Sequence, residues 1–253
     1  MKLEEAINKA IEFAKMSPLF EICGYVISRR GGNYDFYKCN NIAADRENNF
    51  EIDMIDTDAA ASLGEIVYVV HSHPDKFQLS HLSAFDRWAQ YDNRDGDWIL
   101  IKPDWTAEIF APIQKFRGRE YIANVQDCYS IMKDYYAMCG VRMKEYTRDS
   151  DWWSEGKNLY LDNIKAEGFE RVDIADIQPG DTMLFNYASD VPNHSGIYLG
   201  ENEFIHHMTN RVSKIDIVDR FWIKFCNSVW RNSTTPRLIH DGVISRIKSE
   251  RIY

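Results

Sequence analysis

The sequence predicts two mixed folds in series, an α/β domain followed by an α+β domain. Three observations predict it. Up to residue 112, helix-period and strand-period segments alternate along the chain. Beyond Glu120, a helical segment precedes strands and turns, the order of an α+β domain. Between the two, Ala111–Glu120 is polar and contains Pro and Gly, the composition of a linker. The expected organisation is a first domain over 1–112, a linker over 113–120 and a second domain over 121–253.

In the first domain, apolar residues at Leu3, Ala6, Ile7, Ala10, Ile11 and Ala14 fall on one helix face, and Ser17-Pro18 ends that helix. Cys23–Ser28 and Tyr34–Lys38 read as strands around a Gly-containing turn. Asp56–Glu65 reads as a helix and Ile66–Val70 as a buried, β-branched strand. Leu82–Gln90 is expected to be helical, with strands at Trp98–Ile101 and Ala107–Phe110. In the second domain, Asp127–Met138 reads as a helix. Strands are expected at Thr182–Phe185, Ser195–Leu199 and Glu203–His207, the last two around a Gly200-Glu201-Asn202 turn.

Of the 253 residues 45% are hydrophobic, enough to bury a core, and the formal net charge is −9. That balance argues against nucleic acid as a partner, which wants a basic face, and against docking on an anionic membrane. No apolar run approaches the ~18 residues a membrane helix needs, so no stable membrane insertion is expected. Met1–Ala10 is polar and amphipathic, without the apolar core of a signal peptide, so synthesis in the cytoplasm is expected. The five cysteines are odd in number and form no C-x-x-C pair, which argues against a disulfide framework and a thiolate zinc site.

Val69-Val70-His71-Ser72-His73-Pro74 places two histidines at i and i+2 at the end of a predicted strand, on one face. Imidazole nitrogens suit Zn²⁺, and a catalytic zinc keeps three protein ligands and one open position. Asp86 on the following helix can be the third ligand, with Ser83 one turn earlier. Glu21, just before a predicted strand, supplies a carboxylate able to take a proton from a metal-bound water. The alternative for Ser80 and Ser83 is helix capping, and His81 is a substitute ligand or an exposed loop residue. These residues resemble the JAMM (MPN) metallopeptidase family, whose pattern is an upstream Glu, then His-x-His-Pro, then Ser-x-x-Asp. The resemblance implies Zn²⁺ on His71, His73 and Asp86, Glu21 as general base, and Ser83 as an aid to the oxyanion. The loop from Pro74 to Ser83 is longer than that pattern, which leaves Ser80 as an alternative to Ser83.

Asp127-Cys128 opens a predicted helix, where free N–H groups and the helix dipole favour a thiolate. A thiol nucleophile needs a base and a group that orients it. A hairpin over 194–207 would bring His194 and His206 onto neighbouring strands, with His207 on the opposite face. The ordered set of Asp-Cys, then Pro179-Gly180-Asp181, then His194-Ser195-Gly196-Ile197-Tyr198-Leu199-Gly200, then Ile205-His206-His207 resembles the NlpC-type cysteine peptidases, papain-like enzymes that cut cell-wall peptides. The resemblance implies Cys128 as nucleophile, His194 as base and His206 as the residue orienting it. Tyr121 matches either the aromatic residue this family places near the nucleophile or a core tyrosine. The family often has Asp-Cys-Ser-Gly, whereas this chain has Asp127-Cys128-Tyr129-Ser130, which changes packing at the helix start and narrows the pocket.

The two families joined in this order resemble the tail-tip assembly proteins of lambda-like phages. The resemblance implies a virion tail-tip location, other tail-tip proteins as partners, and peptidoglycan peptide stems as substrate. The alternative it leaves open is a structural component of the tail tip with residual sites. It is weakest over Thr147–Ile174 and Lys214–Tyr253. In the latter, Trp222, Phe225, Trp230, Arg237, Arg246, Lys248 and Arg251 either meet a partner or complete the second domain.

Overall fold

A computed structural model describes residues 1–74, 79–93, 96–148 and 151–251. The chain divides into two compact units, Met1–Ile113 and Gln114–Tyr253. Among the described residues no helix is long and apolar enough to cross a membrane.

The first unit runs α1 (Leu3–Lys15), β1 (Cys23–Arg29), β2 (Asn33–Cys39), α2 (Met54–Leu63), β3 (Glu65–Ser72), α3 (Ala84–Asn93), β4 (Asp97–Ile101) and β5 (Ala107–Phe110). Its five-stranded sheet has the order β2-β1-β3-β4-β5. β3 and β4 are parallel, joined by a crossover that contains α3, and the other pairs are antiparallel. Ala6, Ala10 and Ala14 sit one turn apart on α1 and pack against Val26, Val70, Ile99 and Ile101 on one sheet face. Their small side chains let the helix lie close to the sheet. Cys23, Tyr25, Ile27, Val69 and Leu100 form the opposite face, under Ala60 of α2 and with Leu82. By strand alternation His71 shares this second face with Val69. Its ring stacks on Phe50 with centroids 4.5 Å apart and meets the edge of Trp98.

Two helices are displaced from the expected positions by their caps. α2 starts earlier because the Asp53 carboxylate accepts the Ile55 N–H, and it stops at Gly64, so Glu65 already belongs to β3. α3 starts at Ala84 rather than Leu82, because Ser83 caps it while Leu82 is spent on the core.

The second unit runs α4 (Cys128–Met138), α5 (Leu159–Asn163), β6 (Phe169–Val172), β7 (Thr182–Phe185), β8 (His194–Gly200), β9 (Glu203–His206), β10 (Lys214–Ile217), α6 (Arg220–Phe225), β11 (Cys226–Asn232) and α7 (Arg237–Ser249). The antiparallel sheet has the order β10-β9-β8-β7-β11-β6. The Asp127 carboxylate caps α4 by accepting the Ser130 N–H, and the Ser130 hydroxyl donates to the Asp127 carbonyl. Tyr135 and Tyr136 of α4 are fully buried, and their hydroxyls bond His240 Nδ1 and the Gly180 carbonyl.

The segment expected as a linker, 113–120, is instead built into the second unit from Gln114 onward. Phe116 is fully buried, and the N–H groups of Phe116 and Arg117 both donate to the Glu250 carboxylate at 2.8 Å. Arg119 is buried against Asp134. Polarity and a Gly mark a linker only when the polar groups lack protein partners; here the partner lies 134 positions away. The last stretch completes the same unit. β10 and β11 extend its sheet, Trp222 and Trp230 are buried, and α7 buries Val243, Ile244 and Ile247.

Phe116→Ala is therefore expected to destabilise the protein by about 3–5 kcal/mol, the cost of emptying a buried aromatic site. Urea unfolding followed by tyrosine and tryptophan fluorescence measures it, and a loss under about 1 kcal/mol would mark the segment as a surface linker.

Candidate functional site

In the first unit, β3 delivers His71 and His73, and the first turn of α3 delivers Asp86. The nearest ring nitrogens and carboxylate oxygens of these residues lie within 4.8 Å of one another. His71 Nε2 is 3.6 Å from Asp86 Oδ1, and His73 Nε2 is 3.5 Å from Asp86 Oδ2. Glu21, buried two residues before β1, places Oε1 3.9 Å from His73 Nε2. The proton positions can be deduced. His73 Nδ1 is 2.7 Å from the Leu79 carbonyl, which can only accept, so Nδ1 carries the proton. Burial opposes a charge on His73, but the Asp86 and Glu21 carboxylates facing Nε2 hold its pKa above the ordinary imidazole value. His71 is fully buried and neither of its ring nitrogens has a hydrogen-bond partner. Acceptors gathered face to face in a buried site call for a cation or a proton between them. Spacings of 3.5 and 3.6 Å also fit a tetrahedral ion, whose ligand atoms stand about 3.4 Å apart for bonds of about 2.1 Å. The residues present therefore fit a bound metal.

Ser83 occupies the helix-cap position. Its hydroxyl and its N–H both donate to Asp86 Oδ2, at 2.7 and 2.8 Å. It touches the cluster through Asp86. Ser80 is exposed, and the loop between Pro74 and Leu79 lies outside the described residues.

In the second unit, Cys128 is the first residue of α4, which packs on β8. His194 opens β8, and Gly196 of β8 pairs with His206 of β9. A side chain on Gly196 would place its Cβ 2.6 Å from the Phe204 ring, so only glycine lets β8 and the β9 side chains approach this closely. The result is a hydrogen bond of 3.0 Å between His194 Nε2 and His206 Nδ1. If His194 keeps a lone pair on Nδ1 as a base, Nε2–H donates to His206 Nδ1, and His206 carries its own proton on Nε2. That nitrogen lies 3.6 Å from Asp216 Oδ2 on β10, a carboxylate the sequence did not point to.

Cys128 and His194 line one cavity of about 460 Å³, whose wall includes Tyr121, Asp127, Trp153 and His207. His207 was expected on the far face, but it follows the last residue of β9, where strand alternation no longer applies. Tyr121 also packs edge-on against His207, with centroids 5.6 Å apart. Among the described residues no hydrogen bond joins Cys128 to His194; the thiol meets the Tyr160 hydroxyl at 3.3 Å. Arg148 braces the helix start, donating from Nε to the Asp127 carboxylate at 2.9 Å and from its terminal nitrogen to the Asn124 carbonyl at 3.0 Å.

Residues 115–231 match the NlpC/P60 family. Tail tip assembly protein K of Escherichia phage lambda is 38% identical over 169 residues, which cover 67% of this chain and 83% of that protein. The chain belongs to the tail tip assembly protein K family. The protein of the same name from Escherichia phage N15 is 28% identical over 214 residues, covering 80% of this chain and 84% of its own. An NlpC/P60 family protein from Bacillus cereus ATCC 10987 aligns with a TM-score of 0.41 at 14% identity, over 87% of this chain and 66% of that one. The NlpC/P60 match in this tail tip assembly protein K relative falls within the second unit and indicates a cysteine-peptidase domain there.

Electrostatics set the resting state of that domain. A thiolate was expected from the helix start alone. Instead burial, followed by the Asp127 carboxylate, pushes the Cys128 thiol up, against the hydrogen bonds of Tyr160 and Ser195. Burial and the neighbouring His206 hold His194 well below its ordinary value. Burial, Lys214 and His207 lower His206 to about 3. All three groups therefore rest neutral.

The sign of the pH effect follows. Unfolded, His206 takes up a proton near 6.5; folded, it resists protonation down to about 3. The unfolded chain binds more protons in that window, so this contribution to stability is full above 6.5 and is lost as pH falls toward 3. His206→Gln should remove up to about 1.4 kcal/mol per pH unit from the acid-side slope of unfolding free energy. Urea unfolding at a series of pH values measures it; identical slopes in the two proteins would contradict the assignment.

Proposed function

We propose that the protein is a tail-tip cysteine peptidase that cleaves amide bonds in the peptide stems of peptidoglycan and also takes part in building the tail tip. The observation that carries the reading is that Cys128, at the head of α4, shares a cavity with a His194–His206 pair in an NlpC/P60 domain. The chemistry follows from these positions. His194 Nδ1 takes the thiol proton, and the sulfur attacks the stem carbonyl carbon to form a C–S bond. The Ser130 N–H is committed to Asp127, which leaves the N–H groups of Cys128 and Tyr129 at the start of α4 to receive the developing oxyanion. His194 returns the proton to the departing amine as the C–N bond breaks, and water then hydrolyses the thioester. The tail-tip location and partners rest on the family membership.

In the first unit the reading is a JAMM-type zinc site held by His71, His73 and Asp86. When bound, Zn²⁺ lowers the pKa of a bound water and polarises a carbonyl. Glu21 holds a carboxylate beside His73, where it can accept a proton. Ser83 orients Asp86 through its hydroxyl, and the support for it as an oxyanion donor is the motif alone.

One observation favours a second reading, in which the domain serves assembly alone: the resting thiol is protonated and bonded to Tyr160 rather than to His194.

Three measurements separate the readings. With purified peptidoglycan, the wild type should release new amines and Cys128→Ala should lower the rate about 10⁴-fold or more; equal release by both would sink the peptidase reading. A phage carrying Cys128→Ala that still builds intact, infective tails would make catalysis dispensable to assembly. The purified protein should contain about one zinc per chain, and His71→Ala or Asp86→Ala should lose it; unchanged zinc in both variants would remove the metal site.

A further inference from the structure

The contacts of the Cys128 sulfur close a ring. Its thiol is 3.3 Å from the Tyr160 hydroxyl, that hydroxyl is 2.9 Å from Ser195 Oγ, and Ser195 Oγ donates to the Cys128 carbonyl at 3.1 Å. Each hydroxyl has one proton, and a carbonyl only accepts, so the direction around the ring is determined. Ser195 spends its proton on the Cys128 carbonyl. Its oxygen therefore accepts from Tyr160, and the Tyr160 oxygen accepts the thiol proton. This is a resting arrangement for S–H.

We propose that Tyr160 and Ser195 form a reversible hydroxyl cradle that positions the Cys128 sulfur and stabilises its anion, with Tyr160 as a positioning residue beside the Cys–His–His set. The inference rests on the reading of Cys128 as the nucleophile. When the thiol proton leaves for His194, both hydroxyls rotate: Ser195 O–H turns to the Tyr160 oxygen, and Tyr160 O–H turns to the sulfur. No further proton is gained or lost, and the ring reverses from accepting S–H to donating to S⁻. Hydrogen bonds to an ionised group are about twice as strong as neutral ones, and a relay of two polarises the one that reaches the sulfur. Burial, followed by the Cys128 charge, holds the Tyr160 phenol well above the ordinary range, so it remains a donor. Its position is pinned by packing: Tyr160 is buried, its ring against Trp152 and Tyr129.

The cradle also answers an electrostatic need. Asp127, adjacent to the nucleophile, opposes the sulfur anion, and Arg148 is already committed to Asp127. His194 on β8, with His207, Tyr121, Tyr187 and Asp151 in the cavity wall, are the other titratable groups that line the site. His194 and His207 are held neutral, and Tyr121 is raised by burial, so none supplies a resting positive charge. Two neutral hydroxyls supply the stabilisation instead.

The test is the pH dependence of iodoacetamide alkylation at Cys128 in the full chain, read by mass spectrometry of the Cys128 peptide. Tyr160→Phe keeps the ring and removes the donor; its alkylation midpoint should rise by about one pH unit. Ser195→Ala should shift it the same way by less, because it leaves the Tyr160 donor, the larger of the two hydroxyl contributions at the sulfur, in place. An unchanged or lowered midpoint in a folded Tyr160→Phe protein overturns the cradle, and if that variant does not fold, Ser195→Ala decides by the same criterion. Alkylation needs no substrate. A wild type that releases no amines from peptidoglycan would sink the peptidase reading and leave the midpoint comparison standing.

Discussion

The pairing of β8 with β9 is the constraint on which the cysteine site depends. With Gly196 opposite His206, both histidines project to one face, and His194 Nε2 meets His206 Nδ1 at 3.0 Å. A one-residue slip would send one ring to the other face and break the pair. Gly196 permits the pairing because any side chain there would collide with Phe204. The same strand places Ser195 under the start of α4, so one register sets the base, its orienting residue and a contact to the nucleophile's own carbonyl.

That geometry is assembled in a neutral resting state. Burial outweighs the helix dipole at Cys128, and at His194 burial and the neighbouring His206 both disfavour the charged form. A group withdrawn from water prefers its uncharged form unless a specific partner compensates, and in this cavity the specific partners of the sulfur are hydroxyls. The first unit follows the same rule to a different end. Ring nitrogens of His71 and His73 and the Asp86 carboxylate converge in a buried site, an arrangement that fits a cation.

The fold was legible wherever a local pattern carried it. The alanine stripe of α1, the β-branched run of β3 and the Gly-containing hairpin turns all appear at their expected positions, because periodicity and turn chemistry are properties of neighbouring residues. Cys128, His194, His206, His71, His73 and Asp86 were legible by residue type and spacing. The caps were less so: Asp53 and Ser83 shift the starts of their helices by two residues each, since a cap is a choice among several nearby polar side chains.

The sequence by itself therefore determined two mixed folds, the order of their elements and the residues able to bear the chemistry. Tertiary structure alone decided that Phe116 belongs to a core, that Glu250 ties down the segment before α4, that Tyr160 rather than His194 holds the resting thiol, and that Asp216 stands behind His206. The reason is distance along the chain. Tyr160 is 32 positions from Cys128 and Glu250 is 134 from Phe116, so no local pattern encodes either contact. Such pairs exist only once the sheet and helices have brought remote residues together.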